Sequence, residues 1–192
     1  YNVKTFSSVE DTSKQAAKYV EDGFILGLFS GRMEFGPRAL GNRSIIFRAI
    51  DKTVNDTVNK RLNRSEFMPF APVTLHHAVV ECYKNYKNTD RNTDFMTTCY
   101  PCTDKMTETS PAVVHIDNTA RPQVIADDHP NKLYLGILSE YYKNTGIPSM
   151  VNTSFNNHEE PIVCRPQDAL TSLNMGNVDM VVTDLMIISK KS

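Results

Sequence analysis

Apolar residues in this chain fall into two patterns that alternate along it. One recurs at helical spacing. Ala16, Ala17, Tyr19 and Val20 follow a polar start at Thr12 or Ser13, and Gly23 stops the run, which predicts a helix. The other pattern is the short continuous run. Residues 24–30 make one of strand length, and residues 44–50 make a second. Between them lies a glycine-punctuated loop, 31–42. Asp51 is placed to cap a helix reaching about Leu62, with Val54, Val58 and Leu62 four apart on one face.

The alternation continues. A strand is expected over 71–75, a short helix over 78–83 and a polar surface loop over 85–94. Residues 95–100 and 112–116 read as strands, joined by a mobile stretch rich in Thr, Asp and Lys. Residues 133–144 make an amphipathic helix ended by Gly146 and Pro148, and 149–152 lead into an asparagine-rich loop up to Glu160. Pro166 opens a helix to about Met175, and 180–183 and 185–189 are two closing strands. Strands alternating with helices define an α/β fold, and the short hairpin spacings point to a mixed sheet. With 192 residues, 40% of them hydrophobic, the chain is expected to form one domain, 1–192, around a real core.

Composition narrows function mainly by exclusion. A net charge of -1 argues against a duplex binder that relies on overall basicity. No apolar run approaches the roughly 20 residues a membrane span needs. Four cysteines are too few for a disulfide framework, so free thiols in a reducing cytoplasm are expected. Tyr1 stands where an initiator Met would, and no charged-then-apolar leader follows it. The expectation is a trimmed chain without a secretory signal. Charge becomes informative once divided along the chain, because eight bases face three acids between Arg32 and Arg64. A basic block inside a neutral chain points to an anionic ligand. Lys52, Lys60 and Arg61 read instead as solvated helix-face charges.

Four segments could carry chemistry. The first is Gly31-Arg32-Met33-Glu34-Phe35-Gly36-Pro37-Arg38-Ala39-Leu40-Gly41-Asn42-Arg43-Ser44. Its glycines let backbone approach a ligand, while Arg32, Arg38 and Arg43 place guanidinium forks around exposed amides, which suits phosphate. The run lacks both the Walker A and the dinucleotide spacing. The alternative is a structural turn whose arginines pair with Glu34 and other acids. Arg38 follows the Gly36-Pro37 turn and should be the most ligand-facing of the three.

The second segment, residues 64–72, has two prolines and two phenylalanines and reads as a packed corner from which Arg64 reaches a site. The third, residues 115–123, is expected to deliver His115 and Asp117 from a strand to one side, with Arg121 and Gln123 on the exit loop. That cluster offers a possible base, metal ligand and anion fork, against a purely structural His. The fourth, Asn152-Thr153-Ser154-Phe155-Asn156-Asn157, sits at the carboxyl end of a strand, where open α/β sheets bind ligands. Its alternative is an Asx-turn cluster closing its own backbone. Cys99 and Cys102 have zinc-half-site spacing, but no second pair exists and no metal site is expected. Cys82 and Cys164 read as small apolar residues.

Together these segments resemble the carboxy-terminal domain of the NodU/CmcH-type carbamoyltransferases. The Gly31–Ser44 run is the most specific part. Pro69-Phe70-Ala71-Pro72, Thr119-Ala120-Arg121-Pro122-Gln123 and Asn152-Thr153-Ser154-Phe155-Asn156 follow in the family's order. The resemblance implies a YrdC-like twisted mixed sheet with flanking helices, working on carbamoyl phosphate and ATP to form carbamoyl adenylate. An amino-terminal domain of actin-like fold would then pass the carbamoyl group to an acceptor hydroxyl. Mg2+ would arrive with ATP, held through phosphates and water.

Arg32, Glu34, Gly36, Arg38, Gly41, Asn42, Arg43, Ser44, Arg64, Arg121, Gln123, Asn152, Thr153, Ser154 and Asn156 are the expected substrate-binding residues. Arg38, His115 and Asp117 are the candidates for direct chemistry. The sequence departs from some relatives in carrying Leu62 and Met68 where those have Lys and Arg. Two other classes compete, a single-stranded RNA-binding module and a regulatory docking domain. The former needs aromatics exposed among the arginines, whereas Phe35, Phe67 and Phe70 read as packed.

Overall fold

The computed structural model describes residues 1–63, 70–87, 91–156 and 160–191. Among these residues ten strands are formed: β1 (Asn2–Thr5), β2 (Leu26–Leu28), β3 (Ser44–Phe47), β4 (Ala71–Leu75), β5 (Tyr100–Pro101), β6 (Thr119–Ala120), β7 (Gln123–Ile125), β8 (Ser149–Ser154), β9 (Met180–Val182) and β10 (Met186–Ser189). Eight of them make one sheet in the order β1-β10-β9-β2-β3-β8-β4-β7, while β5 and β6 pair separately. β2 runs parallel to β9 and β4 parallel to β7, and the remaining pairs are antiparallel, so the sheet is mixed as expected.

Among the described residues six α-helices accompany it: α1 (Val9–Glu21), α2 (Thr53–Arg61), α3 (Val79–Cys82), α4 (Asp104–Thr109), α5 (Lys132–Thr145) and α6 (Pro166–Met175). The period-two alternation of strand side chains divides the core between two faces. Ile46, Val73, Leu75 and Met150 pack with Ala16, Ala17 and Val20 of α1 and Leu133, Tyr134 and Ile137 of α5. Ile45, Phe47 and Val151 face the other way, toward Val58 of α2 and Ala169 and Leu173 of α6. No described helix is long and apolar enough to cross a membrane.

Several elements differ from the sequence expectation. α1 begins a turn before Thr12, because Ser8 caps it and accepts from the Asp11 amide at 3.1 Å. Thr12 and Ser13 are buried instead. Thr12 bonds the carbonyls of Ser8 and Asp184, and Ser13 bonds those of Val9 and Leu133, so small hydroxyls let α1 lie close to α5. The expected strand over 95–100 is mostly irregular chain that follows a 3-10 turn, Arg91–Phe95, and its last residue pairs, in Tyr100–Pro101. The expected strand over 112–116 begins instead in a 3-10 turn, Pro111–Val113, opened by its proline, and continues as irregular chain and turn. The stretch between them, expected to be mobile, is helix α4, capped by Thr103. Arg61, expected to be a solvated charge, pairs with Asp179 at 2.8 Å.

Candidate functional site

The connection from β2 to β3 folds back on itself around one carboxylate. Oε1 of Glu34 accepts from the backbone amides of Leu40 at 3.0 Å, Asn42 at 2.5 Å and Arg43 at 3.2 Å. Convergent amides are a cradle for an anion, and here a side chain of the same loop occupies it. Arg43 is also committed to the loop. Its Nη1 donates to the carbonyls of Ser30 at 2.8 Å and Asn42 at 2.9 Å, and Nη2 to that of Gly31 at 3.4 Å. The guanidinium lies 3.8 Å above the Phe29 ring. Burial lowers its hold on its proton, and the charge of Glu34 opposes that shift. The expected fork for phosphate is thus a clamp for carbonyls.

Beneath the loop is a buried polar network. Asn152 on β8 donates from Nδ2 to the Ala39 carbonyl at 3.1 Å and to Oε1 of Gln123 at 2.9 Å. Gln123 on β7 donates to the Leu40 carbonyl at 3.0 Å, and its Oε1 also accepts from the Tyr134 hydroxyl. Ser44 accepts from the Gly41 amide at 2.9 Å. Asn42 donates to the Arg32 carbonyl and accepts from Asn131, which also caps α5. Gln123, Asn152, Ser44, Gly41 and Asn42 therefore hold the backbone on either side of Arg38. Asn152 Oδ1 is buried and has no hydrogen-bond partner among the described residues.

Arg32 and Arg38 are exposed on this loop, and Arg121 lies on the segment that leads into Gln123. Neither Arg38 nor Arg121 has a hydrogen-bond or ion-pair partner among the described residues. Glu34, the expected pairing partner if Arg38 were structural, spends its bonded oxygen on backbone amides instead. Arg121 is half-buried, and burial first and the charge of Arg38 second weaken its hold on its proton. A half-buried guanidinium that feels a second positive charge and has no hydrogen-bond or ion-pair partner among the described residues suits an anion. On the other flank of the loop, Arg32, Glu34, Asn42, His129, Asn131 and Lys132 border a cavity of 520 Å³ at the start of α5. Burial lowers the His129 pKa from its ordinary value.

The remaining expected residues are placed elsewhere or differently. His115 and Asp117 are not presented by a strand. They lie in a tight turn, where the His115 amide bonds the Thr119 carbonyl and the Asp117 carboxylate accepts from the Thr119 amide and hydroxyl. Those two bonds hold the Asp117 carboxyl below its usual range. Thr153 and Ser154 are half-buried on β8 opposite Ile45 and Ser44. Asn156 closes its own loop on the Glu160 carbonyl at 2.9 Å. Gly36 is at the exposed tip of the loop. Arg64, Phe67, Met68 and Asn157 lie outside the described residues.

Phe70 is buried as expected, but Phe35 is wholly exposed, at 106%. Cys164, expected to be a small apolar residue, is exposed, whereas Cys82 and Cys102 are buried. Sequence reasoning missed Asn131 and Tyr134. An Asn directly before a helix is a cap signal that could have found the first. No group of three or more His, Cys, Asp or Glu residues among those described could hold a metal ion.

A mixed sheet with helices on both faces, carrying an arginine-rich loop anchored from beneath, defines a YrdC-like α/β domain. Solved structures share that fold. P. abyssi Sua5 complexed with L-threonine superposes with a TM-score of 0.61 at 9% identity, over 91% of this chain and 47% of that one. E. coli YciO gives 0.61 at 14% identity, over 91% and 78%. Full-length HypF in a phosphate- and nucleotide-bound form gives 0.58 at 16% identity, over 95% and 24%.

The chain belongs to the carbamoyltransferase family, as a carbamoyltransferase C-terminal domain matching that family over residues 17–190. It is 35% identical to the nodulation protein NolNO of Sinorhizobium fredii, over 95% of this chain and 27% of that protein. It is 38% identical to an uncharacterised protein of Methanocaldococcus jannaschii, over 96% of this chain and 35% of that protein. The chain thus spans about a third or less of the length of these relatives.

Proposed function

We propose that this domain binds carbamoyl phosphate and ATP and joins them as carbamoyl adenylate. The observation that carries the reading is that Arg38 and Arg121, on two segments of the site, have no hydrogen-bond or ion-pair partner among the described residues, and that the Arg38 charge acts on Arg121. Polyanionic substrates repel each other, and fixed cations offset that repulsion where the two must meet. In this reaction water takes the phosphoryl group from carbamoyl phosphate, leaving carbamate and inorganic phosphate. A carbamate oxygen then attacks the α-phosphorus of ATP, and the bond to pyrophosphate breaks. Such a displacement needs alignment and charge stabilisation more than a nucleophilic side chain.

The frame under the loop supplies the alignment, since Gln123 and Asn152 fix the carbonyls that follow Arg38. Mg2+ enters with the nucleotide, and an amino-terminal domain passes the carbamoyl group to an acceptor hydroxyl. Isothermal calorimetry with each substrate, followed by a pyrophosphate-release assay with both, tests the reading. Binding of each, and pyrophosphate only when both are present, is expected, with no carbamoylated acceptor formed by this chain alone. Absence of heat at millimolar substrate overturns it.

A further inference from the structure

We propose that Phe35 is the nucleobase contact of this site, stacking on the adenine of the nucleotide whose phosphates Arg38 holds. The inference rests on the reading above. Phe35 is the most exposed of the described phenylalanines, while Phe47, Phe70 and Phe155 are buried and Phe29 lies beneath Arg43. It is also held outward. Glu34, the residue before it, is tied to three backbone amides, so the base of the tip is fixed against the rest of the loop. Gly36, the residue after it, has a φ of 117° in open space, and Pro37 then fixes the next φ. The tip therefore presents an aromatic face flanked within three residues on each side by Arg32 and Arg38.

An aromatic ring beside guanidinium forks is the pairing that takes a base and its phosphates together, because the ring stacks on the base while the forks bind oxygen. Truncating the ring removes no internal packing, so a loss of affinity can be read without a loss of fold.

The test compares Phe35→Ala and Phe35→Trp with the parent chain, using ATP, tripolyphosphate and carbamoyl phosphate as calorimetric probes. Phe35→Ala should weaken ATP roughly tenfold, within the range of one base–aromatic stack. It should leave tripolyphosphate, carbamoyl phosphate and the melting temperature unchanged, and Phe35→Trp should restore ATP binding. Equal ATP affinity in parent and Phe35→Ala overturns the inference while leaving the parent reading intact. So does an equal loss for all three probes. A parent chain that binds no ATP overturns both. Single-stranded RNA bound by the parent and lost in Phe35→Ala, with ATP unaffected, assigns the ring to the competing class and also overturns it.

Discussion

The Tyr134 hydroxyl donates to Oε1 of Gln123 at 3.0 Å, joining the first turn of α5 to the amide that holds the Leu40 carbonyl. Tyr134→Phe removes one buried hydrogen bond and leaves Gln123 its contact with Asn152. The expected cost is about 1 kcal/mol, that of a typical net hydrogen bond. Gln123→Leu should cost about 3 kcal/mol or more, because it leaves the Leu40 carbonyl, the Tyr134 hydroxyl and an Asn152 hydrogen without that partner. Urea unfolding of the two variants checks the order. Equal destabilisation would show that Gln123 does not bridge helix and loop.

Arg38 and Arg121 should behave as ligand contacts rather than supports. Arg38→Lys keeps the charge and loses the two-pronged geometry, so affinity for carbamoyl phosphate should fall by about 1–3 kcal/mol. Arg38→Ala should lose more. The melting temperature without ligand should hold or rise slightly, since Arg121 is relieved of a like charge. A large fall in melting temperature with unchanged affinity would make Arg38 structural.

The two loop glycines separate strain from packing. A Cβ at Gly41, where φ is 122°, would lie 2.4 Å from Cδ1 of Tyr134. At Gly36, where φ is 117°, it would meet nothing within 4 Å. Gly36→Ala should therefore cost only backbone strain, about 1–3 kcal/mol at most. Gly41→Ala adds an overpacking cost of about 1–3 kcal/mol to the same strain. Thermal melts of the two should rank them in that order. Equal melts would mean that Tyr134 can step aside.

Thiol chemistry should divide the four cysteines in half. Burial pushes the thiols of Cys82 and Cys102 up to about 11, so at pH 8 both stay protonated and unreactive. Cys99 and Cys164 are exposed. A disulfide reagent at pH 8 should titrate two thiols quickly and the other two only after denaturant is added. Raising the pH toward 11 should speed the slow pair. Four fast thiols in the native protein would contradict the burial.

Strongly patterned segments were legible from sequence, and those set by long-range pairing were not. The Pro166 helix was read from a proline at the first turn, and its end at about Met175 agrees with the structure. β1 was invisible because Asn2, Val3, Lys4 and Thr5 are all exposed and owe their strand to β10. β7 was missed because three residues carry no periodicity, and parallel pairing to β4 creates the strand. Within the site, the arginine loop and its place between two strands could be read from spacing. The division of labour inside it could not. Glu34 and Arg43 turn inward because buried amides and carbonyls need partners, and only folding shows which groups those are.

The pairing of β1 with β10 sets Val3 opposite Ile188. The two strands lie near opposite ends of the 192-residue sequence. During synthesis β1 must wait for the other nine strands described before its neighbour is complete. Among the described pairings, closing that contact is the most non-local step in the sheet and demands the most loop entropy. Assembly is thereby biased to finish at this border, after the arginine-bearing centre has already taken shape.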